Sequence, residues 1–173
     1  MRKNLQRIII FGNSGSGKST LAKTYVNDYG LSHLDLDDLA WLDTYPPKRK
    51  PLKDSTKQIN DFLNSNQGWV IEGCYSDLLD LVKDKATDMI FLNPGVETCI
   101  NNCKSRPWEP HKYTSAEEQD KNLEMLLQWV SDYSIRDDEF SLNSHNALFD
   151  LFEGNKIEYN SNYRNANHGD TSK

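Results

Sequence analysis

The chain has 173 residues, enough for one domain with a substantial core. Lys and Arg total 20 against 26 Asp and Glu, and a formal net charge of −6 argues against a protein that coats nucleic acid or an anionic membrane. The three cysteines are too few and too scattered for a disulfide framework, and no secretory leader or apolar stretch of membrane length is visible, so a reduced, cytoplasmic protein is expected.

Arg7–Phe11 is a short apolar run rich in β-branched residues and predicts a buried parallel strand. It leads into Gly12-Asn13-Ser14-Gly15-Ser16-Gly17-Lys18-Ser19-Thr20, which fits the P-loop pattern G-x-x-x-x-G-K-[ST]. Leu21, Ala22, Tyr25 and Val26 then recur at helical spacing, in a helix over about Lys18–Asp28 that Gly30 can cap. Glycines let the loop curl with its N–H groups inward, and the helix behind it adds the positive end of its dipole. In such a cradle Lys18 reaches the β- and γ-phosphates of ATP, Ser19 ligates Mg²⁺ and Thr20 bonds the α-phosphate.

Leu31–Leu36 predicts a second strand, and Asp35-Leu36-Asp37-Asp38 leads out of it into a brief helix at Leu39–Leu42. Tyr45–Pro51 holds three prolines and reads as an exposed, irregular basic loop around Lys48-Arg49-Lys50. Asp54 or Ser55 can cap a helix to about Asn64, and Gly68–Gly73 is a strand with Glu72 near its end. Ser76 can cap a helix through Val82, Asp88–Leu92 is a strand stopped by Pro94, and Val96–Lys104 is a helix carrying Cys99 and Cys103. Arg106–Tyr113 breaks regular structure. Ser115 and Glu118 then form a capping box for a long helix to about Tyr133. A helix over Ser141–Phe152 and a strand over Lys156–Tyr159 complete the pattern, and disorder is expected from Asn160 onward. Strands alternating with helices predict an α/β fold, a parallel sheet covered on both faces, with the ligand beyond the carboxyl ends of the strands. The P-loop, Asp35, Asp37, Glu72 and Asn93 all fall at those ends.

On these residues the chain resembles the P-loop small-molecule kinases, of the adenylate-kinase-like and shikimate-kinase-like kinds, and the related topology-modulation-type bacterial ATPases. The resemblance spans about Gln6–Tyr159. It implies a P-loop NTPase three-layer sandwich, a five-stranded parallel sheet of order 2-3-1-4-5, and a helical lid at about 104–116 within one domain of residues 1–159. Asp35-Leu36-Asp37 is similar to the D-x-D after strand two of shikimate kinases, where the first Asp joins the Mg²⁺ shell and the second faces the acceptor hydroxyl. Glu72 stands at the Walker B position, beside Ser19 and Asp35 in the implied metal site. Arg106 and Arg136 are placed like lid and post-lid arginines that neutralise the transferring phosphate. After the third strand this chain has Gly73-Cys74-Tyr75-Ser76-Asp77, with neither the glycine run of shikimate kinases nor the Gly-x-Pro-Arg of nucleoside monophosphate kinases.

The expected activity is therefore transfer of the γ-phosphoryl of ATP–Mg²⁺ to a small molecule, as a monomer or homodimer. A hydroxyl acceptor gains from a carboxylate that orients it, and the acidic set Asp35, Asp37, Asp38 and Asp77 favours one. A nucleotide-binding regulatory module or slow ATPase is the other reading. Residue-level alternatives stay open. Asp35 or Asp37 can serve as a helix N-cap, Arg106 can pair with Glu109, and Arg136 can pair with its acidic neighbours. Lys48-Arg49-Lys50 can be a solvated run or can grip an acceptor phosphate. Trp41, Tyr75, Trp108 and Tyr113 can line a pocket or plug a core, His33 reads as structural, and His111 lies in the expected lid.

Overall fold

The computed structural model describes residues 5–162. The central strand β1 (Arg7–Gly12) is apolar on both faces and buried from Ile8 to Gly12. Its odd and even side chains feed two cores, as the two-residue period of a strand requires. Ile8 and Ile10 pack with Leu21 and Ala22 of helix α1 (Lys18–Tyr29). Ile9 and Phe11 pack on the other face with residues of α2 (Asp37–Ala40), α3 (Leu52–Ser65), α4 (Ser76–Asp80) and α7 (Leu142–Leu151).

Parallel pairing joins β1 to β5 (Trp69–Gly73) and β6 (Asp88–Leu92), with β2 (Ser32–Asp35) and β7 (Asn155–Tyr159) at the edges. The five-stranded order is β2-β5-β1-β6-β7. Without the two short hairpin strands described below, this is the expected order 2-3-1-4-5, and helices cover both faces. The register sets Asp35 beside Glu72 and Glu72 beside Ile10, so Glu72 adjoins the P-loop strand and Asp35 lies one strand further out. Helices α5 (Val96–Lys104) and α6 (Ala116–Ser131) bury Cys99, Cys103 and Val130 between them, and all three cysteines are free and buried. No helix of the described residues is long and apolar enough to cross a membrane.

Several expectations are corrected. The proline-rich stretch is a hairpin: β3 (Trp41–Leu42) pairs antiparallel with β4 (Lys48–Arg49). Pro46 and Pro47 occupy the turn and Pro51 lies beyond the hairpin, at the N-cap of α3, so the pairing residues keep their amides. The brief helix accordingly ends at Ala40. Helix α3 starts at Leu52, before Asp54, and Ser55 is a buried residue whose hydroxyl donates to Leu39 O at 3.0 Å. Ser76 is the first residue of α4, and its hydroxyl donates to Glu139 O at 2.7 Å. Ser115 caps α6 by accepting from Glu118 N at 3.1 Å, but the Glu118 carboxylate reaches past it to Thr114. The expected tail falls largely on 163–173, outside the described residues. Asn162, inside them, exchanges amide hydrogen bonds with Asn102.

Candidate active site

A cavity of about 590 Å³ opens at the carboxyl ends of the strands, within the usual range for small-molecule sites. One wall is the P-loop from Ser14 to Thr20. Gly12 and Asn13 lie beneath it, and Asn13 Nδ2 is anchored on Val130 O at 3.1 Å. The loop's curl demands glycine where it passes neighbouring backbone. At Gly15, φ is +79°, and a Cβ would strike Cys99 O and come within 2.7 Å of Cys103 Sγ. Gly15→Ala is therefore expected to cost about 2–4 kcal/mol, from left-handed strain plus overpacking, read as a lowered urea midpoint.

Helix α1 has Gly17 as its N-cap residue, with no side-chain cap bond and no acid in its first turn, so its positive end faces the cavity uncompensated. Lys18 Nζ donates to Asn13 O at 2.9 Å, which lays the ammonium along the rim of the loop. Ser16 Oγ is buried without a hydrogen-bond partner among the described residues.

The opposite wall is acidic: Asp35, Asp37 and Glu72, with Gly73 and Cys74. The chain leaves the sheet at Asp35, which brings two carboxylates of one strand end into the same cavity. Asp35 Oδ1 also accepts from Asp37 N at 2.9 Å, a bond across the turn into α2; the N-cap residue of that helix is Leu36, so neither Asp35 nor Asp37 is its cap. Glu72 is 1% exposed and meets His33 Nε2 at 3.1 Å. That bond raises the His33 imidazole above its ordinary value, against the effect of burial. Burial, with the charges of Asp37 and Glu72, pushes Asp35 up to about 6. Burial works the same way on Asp37, but Lys112, the Tyr75 hydroxyl and Lys18 outweigh it and hold Asp37 below the ordinary carboxylate value. Neighbouring carboxylates driven apart in this way are suited to different tasks.

The roof is the segment 105–115, which has neither helix nor strand and supplies Arg106, Trp108, Glu109, His111 and Lys112. Arg106 lines the cavity and also meets Glu109 at 3.5 Å. Trp108 Nε1 donates to Tyr113 O at 3.1 Å, and Tyr113 is outside the lining. Lys112 Nζ lies 3.3 Å from Asp37 Oδ2 and 3.9 Å from Glu109. Burial works against its charge, but these acids hold it above lysine's ordinary value.

Other expected residues lie elsewhere. Arg136 is outside the lining, bonded through two nitrogens to Asp138 Oδ2 at 3.0 and 2.7 Å, with its guanidinium 3.5 Å from the Trp129 ring centre. Asn93 is bound to Glu158 at 3.0 Å, on β7. Trp41 and Tyr75 sit behind the acidic wall, Trp41 Nε1 donating to Tyr75 Oη at 2.7 Å. Arg49 is turned inward: it pairs with Asp77 and Glu139 and lies 5.0 Å from the Tyr75 ring centre. The solvated reading of the basic run fails for this residue.

Sequence reasoning places Lys112 only within the expected lid and does not single out His145. His145 is 0% exposed; its Nε2–H donates to Cys74 O at 2.8 Å, leaving Nδ1 to accept from Tyr133 Oη at 2.7 Å. It thereby fixes the backbone on the acidic wall. Burial lowers it from 6.5 to about 4, so between those values the unfolded chain binds more protons. Its contribution, about 3 kcal/mol, is present above pH 6.5 and lost as the pH falls toward 4. Asp35 acts in the opposite sense: raised from 3.8 to about 6, it contributes most below pH 3.8, and that is lost as the pH rises through 6. Asp35→Asn should therefore unmask a steeper loss of stability in acid. His145→Gln should leave a stability that falls as the pH rises from about 4 to 6. Urea melts across this window check both signs.

Among the described residues no three His, Cys, Asp or Glu side chains form a metal cage. Ser19 and the nearby carboxylates instead fit a Mg²⁺ that keeps most of its shell as phosphate and water.

No family model matches the sequence. An uncharacterized protein of Bacillus subtilis (strain 168), YqaC, is 25% identical over 135 residues, covering 77% of this chain and 74% of that protein. A gluconokinase from Sinorhizobium meliloti 1021 superposes with a TM-score of 0.52 at 15% identity, covering 91% of this chain and 84% of the other. An unliganded sugar kinase from Janibacter sp. HTCC2649 gives 0.51 at 12% identity, covering 90% and 84%. The likeness is one of fold: the chain has the fold of the P-loop small-molecule kinases.

Proposed function

We propose that the chain transfers the γ-phosphoryl group of ATP to a hydroxyl of a small molecule. The observation that carries this is one cavity with two unlike walls: a P-loop on one side, and Asp35, Asp37 and Glu72 on the other. The phosphates of ATP lie against Ser14–Thr20, with Lys18 at the β- and γ-phosphates and the α1 dipole behind them. Mg²⁺ bound with the nucleotide would be held by Ser19 and, through water, by Glu72 and Asp35, and would neutralise phosphate charge. Asp37, kept ionised, orients the acceptor hydroxyl and takes its proton as the acceptor oxygen bonds to the γ-phosphorus and the bond to the bridging oxygen breaks. Residues 104–116 form the lid: Arg106 meets the transferring charge, and closure keeps out water that would hydrolyse the nucleotide.

The acceptor is a neutral hydroxyl compound in this reading. Among the described residues Arg106 is the arginine that lines the cavity, and it serves the transferring group; Arg49 and Arg136 lie outside the lining, matched by Asp77, Glu139 and Asp138. ADP release measured against polyols, sugars, nucleosides, shikimate and nucleotides tests the proposal: it is expected to require an acceptor and to favour uncharged ones. Equal ADP release with and without every acceptor would remove the kinase reading.

A second reading, a nucleotide-binding module that signals through its lid, draws on the Lys112–Asp37 pair, which ties the roof to the acidic wall. It predicts hydrolysis that rises only with a protein partner.

A further inference from the structure

The two oxygens of Asp37 have partners of different kinds. Oδ1 accepts from the Tyr75 hydroxyl, on a residue 2% exposed. That hydroxyl is braced in turn. Trp41 Nε1 donates to it at 2.7 Å. The Phe140 ring meets the Tyr75 ring edge-on at 5.2 Å. The Arg49 guanidinium lies 5.0 Å from the Tyr75 ring centre and 5.9 Å from that of Trp41, and is itself held by Asp77 and Glu139. Burial and the charge of Asp37 push ionisation of the phenol far above its ordinary value, so it stays a donor.

Oδ2 faces the roof. Its partner, Lys112, stands on irregular chain, reaches Asp37 at 3.3 Å and has Glu109 as a second acid within 3.9 Å. A lysine on a flexible stem gives up such a contact at small cost. A buried, braced tyrosine does not.

We propose that Tyr75 is a positioning residue that fixes Asp37 through Oδ1, so that Oδ2 is the oxygen presented to the acceptor hydroxyl, which takes the place of Lys112. The inference rests on the kinase reading and assigns the reacting oxygen within it. The acceptor O–H donates to Oδ2, and the released ammonium keeps Glu109 and gains the anionic phosphoryl group. On transfer the proton passes to Oδ2, while the bonds from Tyr75 and Trp41 stay intact.

The test is a double-mutant cycle on the full chain. Tyr75→Phe is expected to lower kcat about 10- to 100-fold, with the KM for ATP unchanged, and to cost nothing more in an Asp37→Asn background. The same factor in both backgrounds would mark Tyr75 as merely structural and overturn the proposal. Lys112→Met frees Oδ2 and should lower the acceptor KM several-fold; a raised acceptor KM would overturn the exchange. A crystal structure of Tyr75→Phe gives a readout without turnover. Asp37 is expected to leave its present rotamer, and an unmoved Asp37 would overturn the proposal even if no acceptor is found. Absence of acceptor-dependent transfer in the parent chain counts instead against the kinase reading. If Tyr75→Phe does not fold, Trp41→Phe removes the brace but keeps the phenol and is expected to give the same pattern at smaller amplitude; no fall in kcat there would overturn the proposal.

Discussion

Lys18→Ala is expected to lower kcat/KM for ATP-dependent transfer by about 10²–10³-fold while leaving the melting temperature almost unchanged. The two halves of this expectation come from different parts of the structure. The Lys18 ammonium hydrogen-bonds a carbonyl of its own loop, at Asn13, and packs in neither core. Little folding energy depends on it. In the proposed transfer its value lies where negative charge gathers, in a cleft where the dipole of α1 acts in the same sense. Titration calorimetry with ATP and a coupled ADP assay separate the loss of binding from the loss of rate. A variant that kept both would dissociate the P-loop from the chemistry.

Asp37→Asn is expected to lower kcat by about 10²–10⁴-fold with the KM for ATP unchanged, a split that removal of a phosphate contact would not produce. Asparagine keeps the shape of the side chain and still accepts from Tyr75 at Oδ1, so the wall should stand. It loses the negative charge that the proposed reaction uses to orient a hydroxyl and take its proton. Asp35→Asn is a different change. Asp35 is driven up to about 6 and bonds the Asp37 amide through Oδ1, a bond asparagine can keep, so the loss of its charge should weaken the magnesium dependence before it touches the acceptor. Steady-state kinetics on both variants, with acceptor and Mg²⁺ varied in turn, separate the two carboxylates.

How far the sequence reaches depends on where each interaction is encoded. The P-loop is legible because its function is a backbone shape written in one continuous stretch from Gly12 to Thr20. The sheet is legible because buried parallel strands are unbroken apolar runs, and Ile8–Phe11, Val70–Ile71 and Met89–Leu92 are such runs. Asp35 and Asp37 could be nominated because they follow a strand, but their different states could not be. Those states depend on Tyr75 and Lys112, 38 and 75 residues away from Asp37 in the chain. His145 was invisible for the same reason: its partners are Cys74 and Tyr133, on other elements. The proline-rich hairpin was hidden by local composition. Three prolines argue against pairing, yet only Lys48 and Arg49 pair, and Arg49 then finds an aromatic surround that no local pattern announces. Arg136 shows the reverse error of spacing. It follows the long helix as a post-lid arginine would, but Asp138 and the face of Trp129 lie closer and hold it.

The most direct test of the central claim is phosphorus NMR of the full chain with ATP, Mg²⁺ and a panel of neutral hydroxyl compounds. The account predicts a new phosphomonoester resonance that grows as the γ-phosphate signal falls, requires an acceptor, and is lost in Lys18→Ala and Asp37→Asn. Inorganic phosphate as the sole product across the panel, formed at the same rate with and without acceptor, would contradict it.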